Sequence, residues 1–397
     1  MKTIVPRSLL HCGLLLVSVF AALLLCESLL RVFDVSYPVF DDFDELRGVR
    51  LRPGKQGWYR AEGEAYLSIN SLGYRDREHD RFKPANTVRI AVLGDSFVEA
   101  RQVALEDTFW HRLGRDLQAC DAFDGRQIEM LSFGIGGYNT SQEYLTLQKD
   151  VLGFSPDIVL LAMFPGNDIE GNWRKPAEVG AWRMPTPIHR IVDGALVLDS
   201  SFDRSILRRL LYETVHYSRV VELVNEARHR IKALALRSSD SEGIEAGLSS
   251  QVYLPPNSPE WHQAWLVTEA LLAKMNDLVW SQGARFIVIT IPEAIQVDPV
   301  GDVRERLESR LGVDDLFFPD RRIAEIGLRS GFRTYPLMKE LQDIAEQRQI
   351  YIHGFDNTRP SFGHLNERGH EILADLLATK LCSSTDDDDL QALAARP

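Results

Sequence analysis

From residue 88 onward the chain repeats one pattern: a strand-length apolar run, a turn rich in small residues, then an amphipathic helix. The run Val88-Arg89-Ile90-Ala91-Val92-Leu93 ends at Gly94, and Phe109, Trp110, Leu113 and Leu117 then share one helical face. Residues 128–133 read as a second strand. Thr140-Ser141-Gln142-Glu143 reads as a capping box opening a helix that carries Tyr144, Leu145, Leu147 and Val151. Residues 158–163 are nearly all apolar. Strands apolar on both faces must be covered on both, and their alternation with helices predicts an α/β domain built on a parallel sheet. The rhythm resumes with a helix over about 261–280, a strand at 286–291, a helix near 321–329, a short strand near 332–335 and a last helix over about 366–381.

Between these blocks the pattern lapses. Residues 31–86 read as an irregular, β-rich lead-in containing a tight turn at Asn70-Ser71-Leu72-Gly73. An insertion at about 170–258 holds a hairpin turning at Asp193-Gly194 and an arginine-rich helical stretch from 204 to 236. That stretch reads as a solvated basic face in preference to a membrane-surface helix. The domain itself is expected over 87–382, followed by a disordered acidic tail, 383–397.

Residues 1–30 do not belong to this soluble body. The chain carries no charge from Leu9 to Cys26, about the shortest run that crosses a bilayer. Lys2 and Arg7 precede it, so the positive-inside rule predicts a single-pass anchor with the remainder on the extracytoplasmic side. A cleaved signal peptide is the rival reading, but no small-x-small site closes the run. Of four cysteines, Cys12 and Cys26 lie in that run. Cys120 and Cys382 end the first and last helices of the body, where an oxidising compartment would permit a bridge. No cysteine or histidine cluster has metal-ligand spacing, so no metal is expected. A net charge of −12 argues against nucleic acid as a partner, which requires a concentrated basic surface.

The residues suited to chemistry fall at the ends of successive strands. Gly94-Asp95-Ser96 places a serine at the carboxyl edge of the sheet, where open α/β sheets carry their sites. Gly134-Ile135-Gly136-Gly137-Tyr138 follows the second strand and brings backbone N–H groups within reach of a ligand. Pro165-Gly166-Asn167-Asp168 follows the third, with an asparagine amide able to donate to an oxyanion. His364 stands just before the last helix and can serve as general base for a serine. His370, well inside that helix, reads as a packing histidine.

In this order and placing, Ser96, Gly137, Asn167 and His364 resemble the four named residues of the SGNH hydrolases, the GDSL family. The resemblance covers about residues 85–382 and is strongest in Gly94-Asp95-Ser96 and His364-Leu365-Asn366-x-x-Gly369-His370. The stretch Asn70–Arg75 also looks like membrane-anchored bacterial members. The resemblance implies a flavodoxin-like sheet, a Ser96 nucleophile, and an oxyanion hole made by the N–H groups of Ser96 and Gly137 with the Asn167 side chain. Two positions depart from the family pattern. Pro165 stands where a glycine is expected, and Ser361 occupies the place of the acid three residues before the histidine.

These residues predict a cofactor-free serine esterase acting on acyl esters of envelope carbohydrate or lipid, with Ser96 as nucleophile and His364 as base. An O-acyltransferase of the same fold and an inactive, glycan-binding scaffold are the alternatives. With Ser361 in the acid position, a Ser–His dyad is expected, the ring held by Ser361 or a backbone carbonyl. Asp356 is the alternative acid. Oligomeric state is not readable from the sequence.

Overall fold

A computed structural model describes residues 7–173, 186–201, 205–237, 245 and 248–383. The acidic tail and parts of the 170–258 insertion lie outside the described residues. The chain divides into two compact units, residues 1–40 with 204–238, and residues 41–203 with 239–397.

The first unit is built on α1 (Arg7–Val32), whose portion from His11 to Val32 is long and apolar enough to cross a membrane. The arginine-rich stretch is two helices, α6 (Ile206–Tyr217) and α7 (Arg219–Arg237). Glu27 of α1 accepts hydrogen bonds from the Ser218 hydroxyl and from the backbone N–H groups of Arg219 and Val220. A carboxylate at this helix start satisfies orphan donors and complements the positive dipole end. Ser36 and the Tyr37 N–H reach Glu222 one turn further on. These helices therefore pack with the N-terminal helix.

The second unit holds a five-stranded parallel sheet: β5 (Thr87–Gly94), β6 (Gln127–Gly134), β7 (Ile158–Met163), β10 (Arg285–Thr290) and β11 (Arg333–Tyr335). Its spatial order, β11-β10-β7-β5-β6, becomes 2-1-3-4-5 when strands are counted along the chain, the flavodoxin-like arrangement. Every residue of β5 and β7 is buried, as expected for strands covered on both faces. Arg89, fully buried within β5, is tolerated because its guanidinium is spent on Glu129 and on the carbonyls of Asp80, Arg81, Phe82 and Phe154. On one face α3 (Phe109–Gln118) packs beside α12 (Glu367–Cys382), burying Phe109, Trp110, Leu113 and Leu117 against Leu373, Leu377 and Leu381. Each such side chain contributes about 1.5–3 kcal/mol. Cys120 and Cys382, at the ends of these helices, form a disulfide with Cα atoms 6.1 Å apart.

Three expectations need correction. The helix α4 (Thr140–Lys149) does begin with a capping box, but Asn139 is its cap and Gln142 its reciprocal partner. Residues 31–86 are better ordered than their turn-rich composition suggests. They form two antiparallel hairpins, β1 (Asp41–Asp44) with β2 (Gly48–Leu51) and β3 (Gln56–Tyr59) with β4 (Ala65–Ser68). Two helices also went unforeseen, α9 (Asp302–Leu311) and α11 (Met338–Arg348).

The Asn70 turn has a definite task. Gly73 closes it at φ +87°, and Arg75 is then delivered, buried, to the carbonyls of Glu99, Ala100 and Val103 just beyond Ser96. The hairpin β8 (Ile188–Val192) with β9 (Ala195–Asp199) turns at Asp193-Gly194 as its sequence indicates.

Candidate active site

Ser96 opens the one-turn helix α2 (Ser96–Glu99) directly after β5. Asp95 caps that helix, its Oδ1 accepting from the Phe97 N–H at 3.0 Å. The turn is tight: a side chain at Gly94 would collide with Val98 and come within 2.8 Å of the Ala162 carbonyl.

His364 lies across the sheet edge from this turn. Its Nε2 is 2.8 Å from Ser96 Oγ, and its Nδ1 is 2.6 Å from Glu62 Oε2. An ionised carboxylate can only accept, so Nδ1 carries a proton, and in the neutral ring Nε2 faces the serine as an acceptor. Glu62 Oε1 also takes the His364 backbone N–H at 2.7 Å, so one carboxylate fixes both the ring and its main chain. Burial lowers the affinity of the ring for a proton, but the Glu62 charge and hydrogen bond outweigh this, and its pKa is pushed up to about 9. For Glu62, burial favours the neutral acid, yet His364 prevails and holds the carboxyl below its ordinary value.

The expected dyad is therefore corrected: the partner of Nδ1 is Glu62, and neither Ser361 nor Asp356. Ser361 sits at φ +55° with its N–H on the His353 carbonyl and its hydroxyl turned to the Ala294 carbonyl. Glu62 escaped notice because it precedes the serine and lies 302 residues from the histidine it holds. Its local signal is only a glycine-containing turn between Trp58-Tyr59 and Tyr66-Leu67, the mark of a hairpin.

Glu62 stands at the tip of the β3–β4 hairpin, and Asn357 fastens that tip. Its Oδ1 accepts from the Gly63 N–H at 2.8 Å, while its Nδ2 donates to the carbonyls of Gly63 and Arg60 at 2.9 and 3.2 Å. Opposite, Gly363 is held at both ends, its N–H donating to Glu245 at 2.6 Å and its carbonyl accepting from His353 Nδ1 at 2.7 Å. Gly363 has φ +76°, and a side chain there would collide with the Glu62 carboxylate. His353 is fully buried and its pKa falls to about 4, so it is neutral. His370 is also buried and neutral, accepting from the Phe109 N–H at 3.1 Å, which makes it the packing histidine anticipated.

The other two strand ends complete the site. Gly136 lies beside Ser96, and its N–H is taken by Glu99 at 2.6 Å. Gly137 has φ +76° and faces open space, so ligand could approach its main chain unobstructed. Asn167, in α5 (Pro165–Gly171), donates through Nδ2 to Asp95 Oδ2 at 2.8 Å. One of its two amide hydrogens is thus spent on anchoring the group, and the other remains for a ligand. Beneath lie the buried carboxyls of Asp95, Glu143 and Asp168. Burial and mutual repulsion raise the latter two well above the usual carboxylate range. Among the described residues no cluster of side chains is arranged to hold a metal ion.

The flavodoxin-like strand order brings Ser96, Gly137 and Asn167 to the carboxyl edge of the sheet, and the loop before α12 brings His364 to the same place. No protein-family model matches the chain, and no curated protein does. Among solved structures it is similar to the acetyl xylan esterase AlAXEase (15% identity, 74% of this chain and 99% of that one, TM-score 0.37). It is also similar to TesA (11%, 74% and 99%, 0.36) and to an acetylxylan esterase from Geobacillus stearothermophilus in a catalytic-mutant form (13%, 77% and 97%, 0.37).

Proposed function

We propose that the protein hydrolyses carboxylic esters through an acyl-enzyme on Ser96. The observation that carries this reading is the unbroken hydrogen-bond chain Ser96 Oγ–His364 Nε2 and His364 Nδ1–Glu62. Ser96 Oγ attacks the acyl carbonyl as His364 Nε2 takes its proton. The resulting imidazolium is stabilised by Glu62 and then protonates the departing alcohol oxygen as the C–O bond breaks. Water, deprotonated by His364, attacks the acyl-serine, releasing the carboxylic acid and restoring the Ser96 hydroxyl. The Ser96 and Gly137 N–H groups and the free Asn167 amide hydrogen would hold the oxyanion. A sugar hydroxyl in place of water would turn the same steps into acyl transfer.

The α1 helix would tether the enzyme, with the sheet unit on the extracytoplasmic side, where a Cys120–Cys382 bridge persists. Esters of envelope carbohydrate or lipid are the substrates this location favours. The inactive-scaffold alternative rested on a missing acid, and the contact between Glu62 and His364 speaks against it. The test is fluorophosphonate labelling with p-nitrophenyl acetate turnover. Labelling and turnover in the wild type, both lost in Ser96→Ala, support the reading. A folded wild type that neither labels nor turns over overturns it.

A further inference from the structure

The turn that follows β6 has little stiffness of its own. Ile135-Gly136-Gly137-Tyr138 closes through the Tyr138 N–H on the Ile135 carbonyl at 3.2 Å, with glycine at both central positions and φ +76° at Gly137. Glycine passes readily between backbone conformations, so the closing bond alone does not fix the direction of the Gly137 N–H. An oxyanion donor is effective only when it is held in place before the charge develops. The stiffness has to come from outside the turn.

Two sets of bonds supply it, and both lead to the same hairpin. The Gly136 N–H donates to Glu99 Oε2 at 2.6 Å. Glu99 is buried, and its other oxygen takes Nε of Arg101, whose Nη2 donates to Asp41 at 2.5 Å. At the far end of the turn, the hydroxyl of the buried Tyr138 donates to the Val49 carbonyl at 2.6 Å. Asp41 lies on β1 and Val49 on β2, and these strands pair with each other. A buried carboxylate is costly unless it is paired and hydrogen-bonded. Here one oxygen meets Arg101, and the other is given to a single backbone N–H. A side chain at Gly136 would come within 3.1 Å of Glu99 Oε2 and 3.7 Å of Ser96 Cβ, so the carboxylate grips the turn directly beside the nucleophile.

We infer that Glu99 and Arg101 are positioning residues for the Gly137 N–H, tying its turn to the β1–β2 hairpin. This rests on the esterase reading for the reaction but not for the bracing. The full chain in detergent is compared with Glu99→Gln and Asp41→Ala by amide hydrogen exchange, by p-nitrophenyl acetate turnover and by phenylboronic acid inhibition. In the inhibitor complex Ser96 Oγ bonds to boron as its proton passes to His364, and the tetrahedral boronate places an oxygen where the oxyanion would stand. A glutamine at 99 can accept from Gly136 or from Arg101 with its one oxygen, but its NH₂ then faces the other donor. Glu99→Gln should speed exchange across Gly134–Asn139, lower kcat at least tenfold with KM within threefold, and weaken the boronate at least tenfold. Asp41→Ala touches no atom of the turn, yet should act in the same direction, at least threefold in kcat and in boronate affinity. Folded Glu99→Gln with kcat within threefold of wild type, or with kcat lost and boronate affinity kept, overturns the assignment. If Glu99→Gln does not fold, Asp41→Ala decides, and wild-type exchange, kcat and boronate affinity in it overturn the brace. If the wild type neither turns over the ester nor takes the boronate, the esterase reading has failed. Exchange then decides the brace alone: a turn unchanged in both variants overturns it, and a faster one upholds it.

Discussion

Glu62 Oε2 stands 2.6 Å from His364 Nδ1, on a hairpin that precedes the nucleophile in the chain. The carboxylate of this site thus comes from outside the α/β unit's strand-to-helix turns, while serine and histidine occupy its sheet edge. Glu62→Gln keeps shape and a hydrogen-bond acceptor but removes the counter-charge of the imidazolium. By comparison with the loss of a triad acid in serine proteases, kcat should drop by roughly 10³–10⁴. A loss below tenfold on p-nitrophenyl acetate would show that Glu62 only scaffolds.

The same pair fixes a pH dependence. His364 works as a base only when neutral, and Glu62 pushes its pKa up to about 9. In the wild type kcat/KM should rise with pH through the alkaline range toward 9. Removing the negative charge lowers the histidine pKa, so in Glu62→Gln the residual activity should level off at lower pH. An acid limb left in place by the substitution would contradict the assignment.

Ser361 offers a control. It occupies the position where the family pattern has its acid, yet its positive φ and its bonds to His353 and Ala294 hold it off the ring. Ser361→Asp should not raise esterase activity, nor should Asp356→Ala lower it. A gain in the first or a severe loss in the second, in folded protein, would restore the acid to that loop.

Much of this architecture is legible because it is periodic. Strands such as Ile158–Met163 are apolar on both faces, and their glycine-bounded ends place Ser96, Gly137 and Asn167 at one edge by topology alone. The hairpins of residues 41–68 are not legible in the same way. Their strands are four residues each, too short for alternation to rise above a turn-rich background. The Glu62–His364 pairing is a tertiary contact with no sequence period behind it. A tidy local pattern misled as well: Ser361 stands at the expected spacing, but the loop that fixes its backbone turns it away.

Asn357 should act on catalysis through Glu62. Its three bonds to Arg60 and Gly63 hold the hairpin tip, and none reaches the reacting atoms. Asn357→Ala should lower kcat at least tenfold with little change in KM for a small ester, and cost about 1–3 kcal/mol of stability. Asn357→Asp keeps the acceptor for the Gly63 N–H but loses both donors, so partial recovery is expected. If thermal stability falls while kcat stays at wild-type level, the clamp is structural only.

The Cys120–Cys382 bridge ties α3 to α12, the helix that follows His364 directly. Non-reducing peptide mapping should find the pair linked. Replacing both cysteines with serine should remove roughly 2–5 kcal/mol of stability. Recovery of both as free thiols from the natively expressed protein would exclude the bond.

The oxyanion amide supplies the sharpest test of the strand-end geometry. Asn167→Ala deletes the donor and should lower kcat by roughly 10²–10³. Asp95 positions that donor from below, taking the Asn167 Nδ2 on one oxygen and the Phe97 N–H on the other. Burial pushes the Asp95 pKa up to about 6, while those two bonds oppose the rise by favouring the ionised form. Asp95→Asn is nearly isosteric and can still cap α2 through its oxygen. Its own NH₂ group would then face the amide hydrogens of Asn167, donor against donor. Asn167 would relieve this by turning its oxygen toward Asp95's replacement and away from its present place, or by shifting bodily. Either movement disturbs the donor proposed for the oxyanion. Asp95→Asn should therefore lower kcat at least tenfold with folding intact, and add little when combined with Asn167→Ala. Additive losses in the double variant would mean that Asp95 serves the serine turn alone and leaves the amide to position itself.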